Sequence, residues 1–405
     1  MAARVLITGL GAVSALGHGV SALSAGLRDG TSGIGALTRF AYEGRCGRAA
    51  EVRGEPDVPV GLPVATVRRL SRPDRLALAA AAEACEDAGL AEFGANAALF
   101  VGATTGGMHE TAEAYRRWRA GETSRLRLSR VLGTSLASSG AAIAQALGIH
   151  GPQETVSTAC SSSAMAVARA IQEIRRGTVG VALAVGTDGL SELTYAGFDA
   201  LQALDPEGCR PFDRTRRGLT LGEGAGALVV ESEEHAHARG ARARATLLGW
   251  AASSDAHHPT APHPEGVGAT AALVGALADA GVPADAVDYV NAHGTGTPQN
   301  DAVEIDVLRR VLGTRLAHAP VSSTKSQIGH TLGAAGAIET VVTALALETG
   351  VLPPTLGLRD PDERWADVDF VTTPGRHAAL GIAITSSYGF GGHNVTLVLG
   401  NPERE

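Results

Sequence analysis

The sequence predicts an α/β protein with mainly buried sheets. Short apolar runs that end in glycine alternate with longer stretches of helical pattern, which is typical of strands followed by helices. This alternation begins again near residue 240, so we expect two halves, an N-terminal half over 1–240 and a C-terminal half over 241–405. Because no linker rich in proline, glycine or serine separates them, the halves are expected to pack closely together.

The first half begins with a buried strand at 5–11 and a helix at 20–29. The glycine turn between them lacks the GxGxxG spacing of nucleotide-binding loops, so we interpret it as a packing feature. Arginines lead into an alanine-rich helix at 76–88. The later predicted elements are a strand at 98–102, a helix at 135–147, a strand-like approach at 154–157, a helix at 164–174, a strand at 179–186 and a loop feeding a strand at 219–231.

The second half repeats the alternation. Its predicted strands cover 245–252, 288–292, 320–324, 381–385 and 394–400, and its helices cover 270–281, 301–313 and 333–350.

The composition argues against several classes of protein. Hydrophobic residues make up 44% of the chain, which argues against disorder. The net charge of −8 argues against nucleic acid as a binding partner. Its four cysteines lie far apart, without the spacing of disulfide frameworks or zinc sites. No signal sequence begins the chain and no run of roughly 18 consecutive apolar residues predicts a membrane span, so we expect a cytoplasmic protein.

The segment 158–163 (TACSSS) carries the first candidate for chemistry. Cys160 falls where a predicted strand turns into a helix, so its thiol faces the positive end of the helix dipole and free backbone N–H groups. Both features favour the thiolate. Small neighbours leave room for a large acyl group. A buried structural cysteine is the alternative that this segment leaves open.

Two histidine motifs decide between these interpretations. His293 lies in NAHGTGT (291–297), and His330 ends STKSQIGH (323–330), which GAAG follows at 333–336. Each histidine comes at the end of a predicted strand and is flanked by glycine. With Cys160, they would meet at the sheet edge where α/β proteins place ligands.

Three further motifs complete the pattern: RPFD (210–213), LGEGAG (221–226) and SYGFGGHN (387–394). From the strand at residue 5 to residue 399, the chain resembles the elongating β-ketoacyl synthases, condensing enzymes of the thiolase superfamily. The elongating enzymes use a Cys-His-His set, whereas initiating synthases use Cys-His-Asn and thiolases Cys-His-Cys. The resemblance implies a thiolase-like five-layer α-β-α-β-α fold built from two similar halves, and a dimer.

The resemblance also implies roles for the three residues. Cys160 would hold the growing chain as an acyl-enzyme. His293 and His330 would present Nε2–H groups to the malonyl thioester carbonyl, whose oxygen becomes the enolate when CO₂ leaves. Backbone N–H groups of Cys160 and Phe390 would stabilise the oxygen of the second, tetrahedral intermediate.

Three other site residues are implied in the same way. Lys325 would form a supporting charge network with Glu339; a surface ion pair is the alternative. Phe390, between glycines, resembles the family's gating phenylalanine, which swings to admit malonyl after acylation. A core aromatic in a glycine turn is the alternative for Phe390.

The resemblance extends to substrate and partner contacts. Thr295 and Thr297 would hydrogen-bond the phosphopantetheine arm, and Thr105 would line the acyl tunnel near the dimer interface. A solvated face is the ordinary interpretation of an arginine run, but some arginines lie where related enzymes dock the acidic carrier protein. These are Arg68, Arg69, Arg125, Arg127 and Arg210.

The implied activity is decarboxylative condensation of an acyl chain with malonyl-acyl carrier protein. No cofactor of its own and no metal are implied, since the carrier protein brings the phosphopantetheine arm. The three serines after Cys160 and the GTGT run favour a type II polyketide ketosynthase of polyene type, and a fatty-acid-elongating synthase II is the alternative. The partner would be a second copy or a chain-length-factor-like subunit.

Two other classes fit less well. A non-catalytic chain-length-factor-like subunit keeps the fold but loses the nucleophile, which is present here as Cys160. A thioesterase or acyltransferase on the same scaffold would leave Lys325 and the second histidine idle.

Overall fold

The computed structural model describes residues 3–58, 62–94, 96–122 and 132–404. Its strands are β1 (Val5–Ser14), β2 (Gly17–His18), β3 (Ile34–Ala36), β4 (Arg48–Ala50), β5 (Ala97–Gly102), β6 (Gln153–Val156), β7 (Val181–Asp188), β8 (Gly224–Ser232), β9 (Ala245–Ser254), β10 (Tyr289–Asn291), β11 (Val321–Ser322), β12 (Val351–Leu352), β13 (Arg376–His377), β14 (Ile382–Gly389) and β15 (His393–Gly400). Its helices are α1 (Val20–Arg28), α2 (Val64–Val67), α3 (Arg72–Asp87), α4 (Met108–Arg119), α5 (Ser138–Leu147), α6 (Ser162–Arg175), α7 (Glu192–Ala200), α8 (Glu233–Ala238), α9 (Val267–Ala280), α10 (Pro298–Leu312), α11 (Lys325–Ile328) and α12 (Ala335–Thr349).

The two halves have the same strand order. The first sheet runs β6-β5-β7-β8-β1 and the second runs β11-β10-β14-β15-β9. If the five strands of each half are numbered along the chain, both sheets have the order 3-2-4-5-1. A short antiparallel contact, Leu6 with Thr246 and Ile7 with Ala245, joins β1 to β9. The repeated pattern in the sequence therefore corresponds to two similar, directly joined sheets.

Two helices form the layer between the sheets. The helix α6 packs on β5 and β7, and α12 packs on β8 and β14 as well as on α6. They approach closely because a Cβ on Gly336 would lie 2.5 Å from the Ala164 nitrogen, and Ser163 Oγ accepts the Ala337 N–H at 2.9 Å. Outside, α3 covers the first sheet and α9 covers the second. This confirms the predicted thiolase-like five-layer arrangement.

The helix α12 contains most of the one described helical stretch that is long and apolar enough to cross a membrane. Residues 332–349 have a mean hydropathy of 1.3 and are long enough to cross a membrane, yet 89% of this window is buried inside the protein. A helix enclosed by two sheets is apolar all round, as a membrane helix is. The run is interrupted by Glu339, which is 1% exposed and belongs to the site described below.

The predicted elements differ from the observed ones mainly at their ends. The helix expected from 135 begins at Ser138, and the strand expected over 320–324 keeps only two residues because the chain turns into α11. A capping box fixes the residue at which the arginine-rich helix α3 begins. Ser71 caps the helix in a box with Asp74, so Arg68 and Arg69 fall before it.

Candidate active site

One cavity of about 390 Å³ contains the predicted nucleophile and both histidines. It lies beyond the carboxyl ends of β6, β10 and β14, where α/β proteins usually bind their ligands. Of the predicted residues, the following line it: Cys160, His293, His330, Thr295, Thr297 and Phe390.

Cys160 lies at a strained turn between β6 and α6. The preceding residue, Ala159, has a φ of 52°, which is rare for a residue with a side chain. The backbone N–H of Phe390 lowers the pKa of the Cys160 thiol, and a Cβ on Gly389 would lie 2.7 Å from the Thr158 carbonyl oxygen and 3.2 Å from the Cys160 nitrogen. Only glycine therefore lets the 389–390 turn approach the nucleophile closely.

The charge state of Cys160 differs from the prediction. Burial raises the pKa of the thiol to about 11, and the Lys325 charge and the Phe390 N–H counteract only part of this effect. The position at a helix start was correctly predicted, but the expectation that the surroundings favour the thiolate was wrong for the free enzyme. Desolvation of the charged form outweighs the donors that face the sulfur.

The backbone fixes the proton on His330. Its Nδ1 accepts the Leu332 N–H at 3.1 Å, so a neutral ring carries its hydrogen on Nε2. Leu332 has a φ of 53°, the left-handed conformation that directs this N–H back to the ring. Burial and the charge of Lys325 lower the pKa of His330 well below its usual value. The ring is therefore a neutral donor.

The side chain of Lys325 keeps His293 in the same neutral form, with its hydrogen on Nε2. Lys325 Nζ lies 3.4 Å from His293 Nδ1 and forms an ion pair with Glu339, and both charged residues are 1% exposed. An ammonium group has no lone pair, so Nδ1 accepts and the hydrogen stays on Nε2. Burial, Lys325 and His330 lower the pKa of His293 well below its usual value. The two rings lie 5.4 Å apart at 84°.

Lys325 is the only lysine in the 405-residue sequence, which otherwise uses arginine for its basic residues. A compact ammonium on a flexible stem fits between a carboxylate and an imidazole, whereas a planar guanidinium needs more room. The choice of lysine at this one buried position indicates a geometric requirement.

The sequence interpretation missed two buried carboxylates that support the His293 loop. Glu304 accepts the N–H groups of His293 and Gly294 at 2.7 Å each, and Asp301 accepts those of the next two residues at 3.1 Å each. Both lie on α10 and are at most 1% exposed. Acidic residues three apart at the start of a helix, directly after a glycine-rich motif, were the available signal.

A third carboxylate, Asp188, connects two other loops. It accepts N–H groups from Thr105 at 2.8 Å and Gly333 at 2.7 Å, three residues after His330. The Thr105 hydroxyl also donates to Asp188 at 2.8 Å, and Thr105 is not among the residues that line the cavity. In the single chain, the predicted tunnel residue thus holds a loop.

The side chains of Phe390, Thr295 and Thr297 lie around the cavity. Phe390 stacks on Phe198, which also lines the cavity. The hydroxyls of Thr295 and Thr297 are 2.9 Å apart and face the same space.

Arg210 does not reach this cavity. Its guanidinium lies 2.9 Å from Asp205 and 3.2 Å from Glu207, and its side chain is only 16% exposed. It lines a second, polar cavity of about 520 Å³.

Two of the other predicted docking arginines, Arg68 and Arg69, are exposed. Arg125 and Arg127 lie outside the described residues.

Most of the chain matches known families. Residues 2–236 match the family "Beta-ketoacyl synthase, N-terminal domain", and residues 244–359 match "Beta-ketoacyl synthase, C-terminal domain". The chain belongs to the β-ketoacyl synthase family. The synthase is 37% identical to 3-oxoacyl-[acyl-carrier-protein] synthase 2 of Synechocystis, over 97% of each chain. It is 38% identical to the putative polyketide beta-ketoacyl synthase 1 of Streptomyces halstedii, over 100% of this chain and 99% of the relative.

Among solved structures, the ishigamide ketosynthase/chain length factor is similar, with a TM-score of 0.91, 36% identity and 99% of each chain covered. The synthase therefore has the ketosynthase condensation activity of fatty acid or polyketide synthesis.

Proposed function

We propose that the synthase condenses an acyl chain held on Cys160 with malonyl-acyl carrier protein to give a 3-ketoacyl-acyl carrier protein. One observation carries this proposal. Two neutral histidines, each with its hydrogen on Nε2, line the cavity that contains the buried thiol. Two neutral donors suit an oxyanion that forms during the reaction and stabilise it without a prior proton transfer.

In the first step, the Cys160 sulfur attacks the thioester carbonyl of the acyl carrier. The backbone N–H groups of Cys160 and Phe390 would bind the oxygen of the tetrahedral intermediate. When the carrier's C–S bond breaks, the acyl group stays on Cys160, and the thiol proton of Cys160 ends on the released pantetheine thiol. The raised pKa of Cys160 favours the thiol form in the free enzyme.

In the second step, the malonyl thioester oxygen accepts hydrogen bonds from His293 and His330. The bond to the carboxylate breaks, CO₂ leaves, and its electron pair forms the enolate that the two Nε2–H groups stabilise. The carbanion carbon attacks the acyl-Cys160 carbonyl. The C–S bond to Cys160 then breaks, the 3-ketoacyl carrier is released, and the Cys160 thiolate takes up a proton from water to regenerate the thiol.

Lys325 and Glu339 act through His293. The ammonium keeps His293 Nδ1 an acceptor and disfavours protonation of both rings, while the carboxylate compensates its charge. This network would thereby keep both donors neutral throughout the cycle.

The pathway that we propose is a type II polyketide pathway of polyene type. The similarity to the ishigamide ketosynthase/chain length factor and to the Streptomyces polyketide synthase supports it, together with the three serines after Cys160 and the GTGT run. The carrier protein would be a separate chain, docked in part by Arg68 and Arg69, and Thr295 and Thr297 would contact its arm. A second copy or a chain-length-factor-like subunit would complete a cytoplasmic dimer.

Intact-mass spectrometry tests the proposal. The wild type, given a medium-chain acyl carrier, should gain one acyl group, and malonyl carrier should then yield a 3-ketoacyl carrier two carbons longer. The Cys160→Ala variant should gain nothing, whereas Cys85→Ala, which changes a buried cysteine on α3 outside the cavity, should behave as the wild type. No acyl group on Cys160 with any carrier, with or without a homologous subunit, would overturn the proposal. If Cys160 is acylated only when the homologous subunit is added, the active form is the heterodimer.

A further inference from the structure

Arg217 is the only arginine or lysine among the described residues that line the active-site cavity. Its side chain is 57% exposed, so it lies at the rim, where the cavity opens to solvent. Its guanidinium forms an ion pair with Glu207, which is 63% exposed, and lies at a longer distance, 3.9 Å, from the buried Asp205. An exposed pair of this kind contributes little and exchanges readily for another anion.

The neighbouring arginine holds this segment in place. Arg216 is buried, and its guanidinium donates to the Pro298 carbonyl at 3.2 Å and lies 4.7 Å from the centre of the Trp365 ring. The backbone at 216–217 is therefore fixed beside the start of α10. The exposed side chain of Arg217 can change rotamer, whereas its backbone is held at the rim of the cavity by Arg216.

Among the other described residues that line the cavity, only Asp255 has an acidic side chain. Both of its oxygens are occupied, by the His263 N–H at 2.9 Å and by Asn394 Nδ2 at 2.9 Å. Thr297 and Gln299 line the rim at the start of α10. The described part of the mouth therefore offers one exposed guanidinium, neutral polar groups and one carboxylate that already accepts two hydrogen bonds.

We propose that Arg217 binds the phosphate of the phosphopantetheine arm where the arm enters the cavity, releasing Glu207. The inference rests on the proposed function, which brings a phosphopantetheine thioester to Cys160. The phosphate is the arm's charged group, and it stays outside when the thioester reaches the sulfur. A guanidinium can bind two phosphate oxygens at once, with charge-assisted hydrogen bonds.

The test uses small thioesters without a carrier protein. The rate of Cys160 acylation is measured by intact mass with acyl-phosphopantetheine and with acyl-pantetheine, which lacks the phosphate. The wild type should prefer the phosphorylated thioester, and Arg217→Ala should lose that preference by about tenfold, the effect of one charge-assisted contact. Glu207→Gln, which removes the competitor, should increase the preference.

Arg214→Ala is the matched control. Arg214 is on the same segment, is 56% exposed and pairs with Asp360, but does not line the cavity. It should keep the wild-type preference. An unchanged preference in Arg217→Ala, or an equal loss in both variants, overturns the inference. So does a loss seen only with whole carrier proteins, since Arg217 would then contact the protein rather than the phosphate.

A direct binding measurement distinguishes failure of the proposed function from failure of this inference. The affinities of phosphopantetheine and pantetheine for the Cys160→Ala enzyme are compared by calorimetry, with and without Arg217→Ala. If the wild type is not acylated at all, the proposed function fails, yet a phosphate preference that depends on Arg217 still supports this site. If acylation occurs but this preference is absent, the inference alone fails.

Discussion

Phe390 stacks on Phe198 at the mouth of the cavity, with ring centroids 5.4 Å apart and ring planes 17° apart. The backbone N–H of the same Phe390 lowers the pKa of the Cys160 thiol. Two glycines follow, Gly391 and Gly392, with φ values of 86° and 78°. A side chain held by one stacking partner and followed by a glycine hinge can swing without unfolding the strand before it.

This relationship predicts the effect of Phe390→Ala. If the ring delays malonyl until Cys160 is acylated, its loss should increase CO₂ release from malonyl carrier in the absence of an acyl primer, while condensation decreases. The ratio of CO₂ released to 3-ketoacyl product, measured with and without primer, reports this uncoupling.

Phe390→Leu, which keeps an apolar side chain, is the control and should uncouple less. A ratio unchanged in Phe390→Ala would contradict the gating role, whatever the overall rate.

His330→Ala should remove one of the two donors to the enolate oxygen. Loss of one such donor lowers the rate of the step by about 10²–10³-fold. Acylation of Cys160 does not use this donor and should stay within severalfold of the wild type. Measuring CO₂ release and acyl transfer separately on the same variant checks the assignment. Equal losses in both steps would indicate a collapsed site instead of a missing donor.

The Lys325 charge lowers the pKa of Cys160, so its removal should make the thiol still harder to ionise. Thiolate reacts with iodoacetamide and thiol does not, so Lys325→Ala should slow alkylation of Cys160 at pH 9. The mass of the adduct, followed over time from pH 8 to 10, gives the shift.

Lys325→Ala also leaves Glu339 buried without its partner, which by itself destabilises the site. The double variant Lys325→Ala/Glu339→Ala is therefore the control and should react faster than the single variant. A single variant that alkylates faster than the wild type would contradict the assigned direction.

The fold could be predicted from the sequence because its strands are short apolar runs with glycines at their ends. The cavity could be predicted because Cys160 and His293 come shortly after β6 and β10, and His330 follows β11 after the short helix α11. The supporting carboxylate Asp188 could not be predicted, since it acts on backbone N–H groups, which every residue carries. The charge state of Cys160 depends on burial from several elements at once, and a local motif does not encode this.

Glu304 should make the stability of the enzyme depend on pH. Burial raises its pKa from 4.5 to about 8 in the folded chain, so the unfolded chain loses this proton first as the pH rises. Between these values the folded state binds more protons, and its free energy of unfolding should fall by up to about 1.4 kcal/mol per pH unit. Below pH 4.5 the full stability is present.

Chemical denaturation from pH 5 to 8 checks this with Glu304→Gln, which cannot titrate. The wild type should lose stability relative to the variant as the pH rises. Asp306→Asn, an exposed change on α10, is the control and should run parallel to the wild type. A wild type that gains stability relative to Glu304→Gln over this range would show that the N–H groups of His293 and Gly294 dominate over burial.

Gly102, the last residue of β5, sets the height of the catalytic helix above the sheet. A Cβ at this position would lie 2.4 Å from the Ser163 backbone, within the first turn of α6. Gly102→Ala should therefore displace that turn, lower the free energy of unfolding by about 1–3 kcal/mol and slow acylation of the adjoining Cys160. Gly35→Ala, where the added methyl group has no neighbour within 4 Å, should leave both measurements near the wild type. If denaturation and acylation are unaffected in Gly102→Ala, the position of α6 does not depend on this close contact, and the sheet does not set the place of the nucleophile.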